Sequence, residues 1–443
     1  MKSIGCIDEP TDGEKVGRFF RLKGWAIYQT SEIMNLFIDN TKLGKINPFI
    51  DREDVARAHP NIEKSKPTGF DQLFEIPEFP AGLHTLYLKS EDNQSIQTIC
   101  GRQINYHNKF DNTIRTIGIE MSRTCNFHCV MCPAHSEKSQ YIRKKLLADD
   151  SLIDNILPFL NNFNYTIKNI QAGALWGEPL IDDKYFSNNE KVMRACPNAS
   201  LYLTTNGSLL TSDNIEKILS TKYIKQIGVS VDAGNKETYE QIRKGGRWDT
   251  LLHNLSMLIE RKKQRTVNTP VILTNFVMMK SNFKELPQYI KKMGQLGVDV
   301  ISAVNAHSCY SSDSNSGIFD LPFKVNNFAA ERKLVLEQAM RIKLPKNTLL
   351  NLPSFTPRKQ SAECSFNGAS RVIIGIEGEV YPCCVHQSLD YEGNQEAKPM
   401  GNVYEKKLES ILKEKRFLDF RQKMLRGQSP SAICSNCPFF YGM

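Results

Sequence analysis

From about Thr113 onward the chain alternates short apolar runs of strand length with amphipathic helical stretches. The strand-like runs are Ile117 to Met121, Ile170 to Leu175, Leu201 to Thr204, Ile227 to Val231, Val271 to Met278 and Val298 to Val304. Among the stretches between them, Leu251, Leu255, Leu258 and Ile259 share one helical face, and Leu286, Ile290 and Met293 share another. Parallel strands need crossover helices, so this order predicts an α/β region, residues 113–310, whose parallel sheet curls into a partial (βα)6 TIM-like barrel. Sites in such barrels lie at the carboxyl ends of the strands.

The first hundred residues have another rhythm. Phe20, Leu22, Gly24, Ala26 and Tyr28 alternate with mostly polar residues, and Ile33 to Asp39 and Leu83 to Leu88 are further apolar runs separated by turn-forming clusters. An amino-terminal β-sandwich over 1–105 is expected, with the polar stretch Arg102 to Asn112 as a link to the barrel. After the barrel, residues 311–361 read as a connecting segment, and the Ser-rich stretch Ser308 to Ser316 as a surface loop. Residues 362–443 form a small carboxyl-terminal domain with a strand-like run, Val372 to Ile376, and an amphipathic helix carrying Tyr404, Leu408, Ile411 and Leu412.

Composition narrows the function. With 443 residues, 40% hydrophobic and 24% charged, the chain is long and apolar enough for two or three packed units. No apolar run approaches the roughly 20 residues that span a bilayer, and the acidic amino terminus lacks a signal-like stretch, so a cytoplasmic protein without a membrane partner is expected. The net charge of +9 is spread along the chain instead of forming a basic arm, which predicts no nucleic-acid partner.

The 12 cysteines are the informative count, because without an export signal they point to metal ligation or catalysis before disulfides. The run MSRTCNFHCVMCPAH sets Cys125, Cys129 and Cys132 at Cys-x3-Cys-x2-Cys spacing just after the first barrel strand. Three thiolates on one short loop suit one iron–sulfur cube and leave one of its irons without a protein ligand. A structural zinc site with His128 or His135 as fourth ligand is the alternative. A second set, Cys364, Cys383, Cys384, Cys434 and Cys437, offers enough thiolates for a fully ligated cluster, or for a zinc ribbon. Cys6, Cys100, Cys196 and Cys309 read as small core residues.

The triad resembles the signature of the radical S-adenosylmethionine (SAM) enzymes, and further segments match that family in order over Thr113 to Ala306. Gly177, Glu178 and Pro179 resemble the motif holding the methionyl amino group, although Trp176 stands where glycine is common. Thr205-Asn206-Gly207 resembles the family's Thr-Asn-Gly turn, and Ser230 and Asp232 its ribose-binding segment. Arg243, in Tyr-x-x-Ile-Arg, is placed to reach the methionine carboxylate, and Phe127 stands where a residue packs near adenine. The resemblance implies reductive cleavage of SAM to a 5′-deoxyadenosyl radical that abstracts a substrate hydrogen, with the electron supplied by a flavodoxin- or ferredoxin-type reductant.

The carboxyl-terminal cysteines resemble the SPASM extension in its shortened form with one auxiliary cluster. That likeness implies Cys364, Cys383, Cys434 and Cys437 as ligands of a second [4Fe-4S] cluster, with Cys384 an ambiguous neighbour. The single-cluster form is similar to that of aminocyclitol dehydrogenases and sugar epimerases. It implies oxidation or epimerisation of a secondary alcohol of a saccharide or cyclitol; in the epimerase case Cys309 or Cys384 would supply a thiol hydrogen. Modification of a ribosomal peptide is the alternative, and a non-catalytic iron–sulfur electron carrier is a third. The amino-terminal segments Gly24-Trp25-Ala26, Ile38-Asp39, Asp51 to Val55 and Gly69-Phe70 are similar to accessory β domains beside glycosyltransferase-like enzymes, which favours glycans or nucleotide sugars over peptides; a packing role is the other reading. The catalytic acid or base is not legible.

Overall fold

The computed structural model describes residues 3–17, 19–27, 33–47, 52–60, 68–76, 79–91, 95–106, 114–135, 147–164, 166–173, 176–265, 267–306, 329–353, 364, 368–425 and 428–437. They form two compact units, one holding the first 114 residues together with residues 421–428, the other most of the remainder. Among the described residues no helix is long and apolar enough to cross a membrane.

The first unit has two sheets. Strands Ile4–Glu9, Phe19–Ile27 and Gly69–Glu75 pair antiparallel, with Phe19–Ile27 in the middle. A five-stranded sheet runs Glu14–Val16, Ile96–Tyr106, Gly82–Glu91, Ile33–Ile38, Thr41–Lys45. Phe20, Leu22 and Ala26 from one sheet share a core with Leu36, Leu86, Leu88 and Ile104 from the other, as alternating strands with one buried face require. The stretch from Arg102 is no simple linker. Its first residues close the eleven-residue strand Ile96–Tyr106, because Ile104 and Tyr106 bury their side chains in that core.

The second unit is organised by one ten-stranded sheet. Its order is Leu349–Asn351, Val300–Asn305, Val271–Met278, Ile224–Ser230, Ser200–Thr205, Asn169–Gly173, Thr116–Glu120, Arg371–Ile374, Glu379–Tyr381, Gly401–Asn402. The first eight are parallel neighbours and the last two antiparallel. The six expected strands are there, and two further parallel strands flank them. Leu349–Asn351 extends one edge, and Arg371–Ile374 pairs with the first barrel strand on the other. Val372, Ile373 and Ile374 are buried, and the apolar run needs cover on both faces, which an isolated hairpin cannot give.

Helices cover the outer face. Asn235 caps Lys236–Ile242 by accepting the Thr238 N–H at 2.9 Å, and Thr211 caps Ser212–Ser220 by accepting the Asn214 N–H at 3.3 Å. Trp248–Gln264 buries Leu251, Leu255, Leu258 and Ile259, and Leu286–Leu296 buries Ile290 and Met293. The helix expected over Tyr404 to Leu412 is Leu408–Lys413, shorter than the sequence suggested, and Lys415–Leu425 and Ala432–Ser435 follow it. Tyr404 lies before it in a turn, where Asn402 Oδ1 accepts the Tyr404 N–H at 2.8 Å. Ser308 to Ser316 falls outside the described residues.

Candidate functional site

The cysteine loop leaves the carboxyl end of strand Thr116–Glu120 and pairs with the backbone after helix Lys236–Ile242. The His128 N–H donates to the Lys244 carbonyl at 2.8 Å and the Val130 N–H to the Ile242 carbonyl at 2.9 Å. Gly245, at φ +94°, and Gly246 allow this approach: a Cβ on Gly246 would stand 2.9 Å from Phe127 Cε2 and from the Arg243 carbonyl. Sequence reasoning passed over both glycines, although the run Arg-Lys-Gly-Gly closing the Tyr-x-x-Ile-Arg motif marks a turn. Phe127 is buried under this turn, and its N–H points at Cys125 Sγ, 3.4 Å away.

Cys129 is buried, and Cys125 and Cys132 are half-buried. Burial pushes all three thiols up, Cys132 to about 12, and the Cys129 charge raises Cys125 and Cys132 further, while Arg243 opposes the rise in all three. Crowded, desolvated thiols around one cation fit a metal centre, since coordination is what deprotonates such thiols outright. Among the described residues no three Cys, His, Asp or Glu side chains converge as one metal ion requires. A multi-iron cube instead takes thiolates spread around its corners.

Arg243 is buried, with Nη1 3.8 Å from Cys129 Sγ. Its Nε donates to Asp232 Oδ2 at 2.8 Å and its Nη2 to the same oxygen, while Asp232 Oδ1 accepts the Val277 N–H at 2.7 Å. Burial alone would lower the Arg243 pKa, but Asp232 and the Cys129 thiolate outweigh it and raise it. Asp232 has no exposed surface, so its carboxylate holds Arg243 in place, and the partly exposed member of the Ser-Val-Asp segment is Ser230.

Glu178 is also buried and ties two motifs together. Its Oε1 accepts from the Thr205 hydroxyl at 2.8 Å and the Leu180 N–H at 3.2 Å, and its Oε2 from the Asn206 N–H at 2.6 Å. Burial raises its pKa to about 7 against those bonds. Gly177 and Pro179 flank it; Asn206 Nδ2 donates to Asn126 Oδ1 at 2.9 Å, and Asn126 Nδ2 to Ser208 Oγ at 2.9 Å. The structure thus gathers the Gly-Glu-Pro turn, the Thr-Asn-Gly turn and the cysteine loop at one end of the sheet.

Below this rim lies the barrel's inner face. Tyr289 of helix Leu286–Leu296 packs on Phe276 and donates to Thr274 Oγ1 at 2.9 Å, so even-numbered residues of strand Val271–Met278 face the helices. The odd ones face inward. By register, Ser230, Asn275 and Ser302 lie in one inner row across three strands, with Tyr202, Thr204 and Gly228 on the same face. Tyr202, Ser230, Asn275 and Ser302 are half-buried and Thr204 is exposed. Of these only Ser230 was singled out from sequence. The missed signal is a polar or small residue at alternate positions of otherwise apolar strands, as in Tyr202-Leu203-Thr204 and Gln226-Ile227-Gly228-Val229-Ser230.

The second cysteine set also gathers. Cys364, Cys383, Cys434 and Cys437 are all buried. Burial drives Cys383 far up, with Cys384, Cys364 and Cys434 adding to the rise; burial takes Cys434 to about 12, with Cys437 and Cys364 adding. This donor set fits a cluster by the same argument. Cys384 is half-buried at the head of helix Cys384–Tyr391. His386 Nδ1 lies 3.3 Å from Cys383 Sγ, a neighbour not foreseen, and burial lowers its pKa to about 4. Cys196 is buried, Cys6 and Cys100 are half-buried in the first unit, and Cys309 lies outside the described residues.

Within this unit a buried polar network joins the cysteine loop to helix Cys384–Tyr391. Glu120 Oε2 receives Arg123 Nε at 3.2 Å, Gln387 Nε2 at 3.1 Å and the Tyr391 hydroxyl at 3.3 Å. Arg123 stacks 4.5 Å from the Tyr391 ring centroid, and Nη2 donates to its hydroxyl. Trp176 and Cys132 pack against Tyr391 and Ala134 in one apolar cluster, so the tryptophan that departs from the family pattern fills a gap beside a cluster ligand candidate.

Residues 119–301 match the radical SAM superfamily, and residues 364–438 match the SPASM iron–sulfur cluster-binding domain. Over 329 residues, 72% of this chain and 86% of the relative, the sequence is 26% identical to the tungsten-containing aldehyde ferredoxin oxidoreductase cofactor-modifying protein of Pyrococcus furiosus. It is 27% identical to a probable GTP 3′,8-cyclase of Methanocaldococcus jannaschii over 43% of this chain and 58% of that one. Streptococcus suis SuiB bound to its precursor peptide SuiA superposes with TM-score 0.52 over 75% of this chain and 71% of that one, at 14% identity, a likeness of fold alone. The chain is therefore a radical SAM protein with a carboxyl-terminal SPASM domain, the first binding SAM and a [4Fe-4S] cluster, the second auxiliary iron–sulfur.

Proposed function

We propose that the protein removes a hydrogen atom from a carbinol carbon of an uncharged saccharide or cyclitol, oxidising or epimerising that secondary alcohol. The observation that carries this reading is one wall of the barrel's inner face, away from Glu120 and Arg371, which the register places on the inner face of the first barrel strand and its neighbour. From Tyr202 to Val304, the inner positions of four strands hold Tyr, Thr, Gln, Ser, Asn, Gly, Val and Leu, and no Asp, Glu, Lys or Arg. A nucleotide or sugar phosphate brings charge that such a wall cannot pair, whereas hydroxyl groups match neutral hydrogen-bonding side chains. When bound, SAM and the clusters would supply hydrogen-atom abstraction and, for oxidation, acceptance of one electron as the hydroxyl proton leaves; epimerisation would instead need a hydrogen atom returned by a thiol, for which Cys309 and Cys384 are the candidates.

The chain's own residues then have distinct tasks. Cys125, Cys129 and Cys132 hold the first cluster, and Cys364, Cys383, Cys434 and Cys437 the auxiliary one. Ser230 meets the ribose, and Glu178 and Arg243, braced by Thr205, Asn206 and Asp232, define the methionyl end. Gly177, Pro179 and Phe127 shape the turns around it. A flavodoxin- or ferredoxin-type protein is the proposed reductant.

The test is deuterium transfer. Reconstituted, reduced protein with SAM is incubated with cyclitols and hexoses deuterated at carbinol carbons, and 5′-deoxyadenosine is examined by mass spectrometry. Deuterium in 5′-deoxyadenosine together with a ketone or epimer is the expected result. Turnover only with a peptide would replace this reading by peptide modification.

A further inference from the structure

We propose that Tyr202 and Asn275, meeting over Gly228 inside the barrel, form the subsite that grips one hydroxyl of the substrate; the inference rests on the polyol reading above. Strand Ile224–Ser230 lies between the strands carrying the two side chains, and both lean across it at Gly228. A Cβ there would collide with the Tyr202 hydroxyl and stand 3.1 Å from Tyr202 Cζ and from Asn275 Nδ2. Gly228 does not sit in the left-handed region, so its backbone angle explains nothing. What the missing side chain provides is room for the phenol and the amide to approach each other.

The two groups are otherwise unspent. Among the described residues neither side chain makes a hydrogen bond, although both are half-buried. Half-buried donors and acceptors left without protein partners in a pocket favour a ligand that supplies them. A phenol offers one donor and lone pairs, and an amide offers two donors and an acceptor. A sugar or cyclitol hydroxyl, itself one donor and two acceptors, complements both at once. Neither group carries charge, so the pair discriminates by hydrogen bonding, the mode that most strongly rejects an analogue lacking the hydroxyl. Ser302 lies beside Asn275 in the same inner row, so a neighbouring hydroxyl has a partner too.

The test is calorimetric binding of myo-inositol, glucose, galactose and mannose to the cluster-loaded protein with SAM present. It is run on wild type, Tyr202→Phe, Asn275→Ala and Gly228→Ala, with SAM affinity measured alongside. At least one polyol should bind wild type; Tyr202→Phe and Asn275→Ala should each weaken it about tenfold, the loss of one hydrogen bond, and Gly228→Ala, which pushes the phenol aside, by at least as much, while SAM affinity stays unchanged. Tyr202→Phe keeps the ring and so guards against misfolding. If wild type binds a polyol and all three variants bind it equally well, the subsite is overturned and the substrate class survives. If wild type binds none of the four, the substrate class and the subsite fall together.

Discussion

At residue scale, two buried carboxylates hold the site, and neither is free to meet a ligand broadside. Asp232 sits at φ +60°, a conformation unusual outside glycine, and spends both oxygens on Arg243 and the Val277 N–H. Removing it leaves a buried guanidinium uncompensated beside Cys129. Asp232→Ala should therefore cost about 3–5 kcal/mol in urea unfolding and lower iron retention, whereas Asp232→Asn should cost less. Equal stability of Asp232→Ala and wild type would remove this role. Glu178 makes a pH prediction. Its folded pKa, about 7, stands above its ordinary 4.5. Between those values the folded chain keeps a proton that the unfolded chain has lost. Stability from this group is thus fully present below about pH 4.5 and falls by about 3 kcal/mol as pH rises through 7. Glu178→Gln should flatten that slope in the SAM-free protein; an unaltered slope would assign it elsewhere.

At the scale of elements, the cysteine loop is held from two sides. One is the turn at Gly245 and Gly246. Gly246→Ala should push Phe127 and the loop outward and reduce iron bound at the triad, read as iron per chain in a variant that also lacks Cys434 and Cys437. Full iron loading would show that the loop tolerates the displacement. The other side is the network of Glu120, Arg123, Gln387 and Tyr391. Tyr391→Phe should cost about 1–3 kcal/mol, and Arg123→Ala more, with strong coupling in a double-mutant cycle. Additive losses would mean that the groups act separately. None of this network was legible in the sequence, because Glu120 and Tyr391 lie 271 positions apart and each alone reads as an ordinary strand-end or helix residue. The chemistry-bearing motifs were legible because cysteine spacing and turn sequences are local.

At the scale of the whole molecule, the strand–helix rhythm was enough to read the barrel, since hydrophobic periodicity reports which face each element buries. It could not show that Arg371–Ile374 joins the first barrel strand, because pairing partners of parallel strands leave no local trace. Nor could it show that Tyr202, Gly228 and Asn275 meet, since register decides which alternate residues share a face. On this reading the triad loop supports radical chemistry with SAM. The direct measurement is 5′-deoxyadenosine release by anaerobically reconstituted, dithionite-reduced protein, beside a Cys125/Cys129/Cys132→Ala triple variant. Release by the wild type and none by the variant is the predicted result. Equal release from both, or none from a wild type shown to hold both clusters and supplied with the polyols it binds, would contradict it.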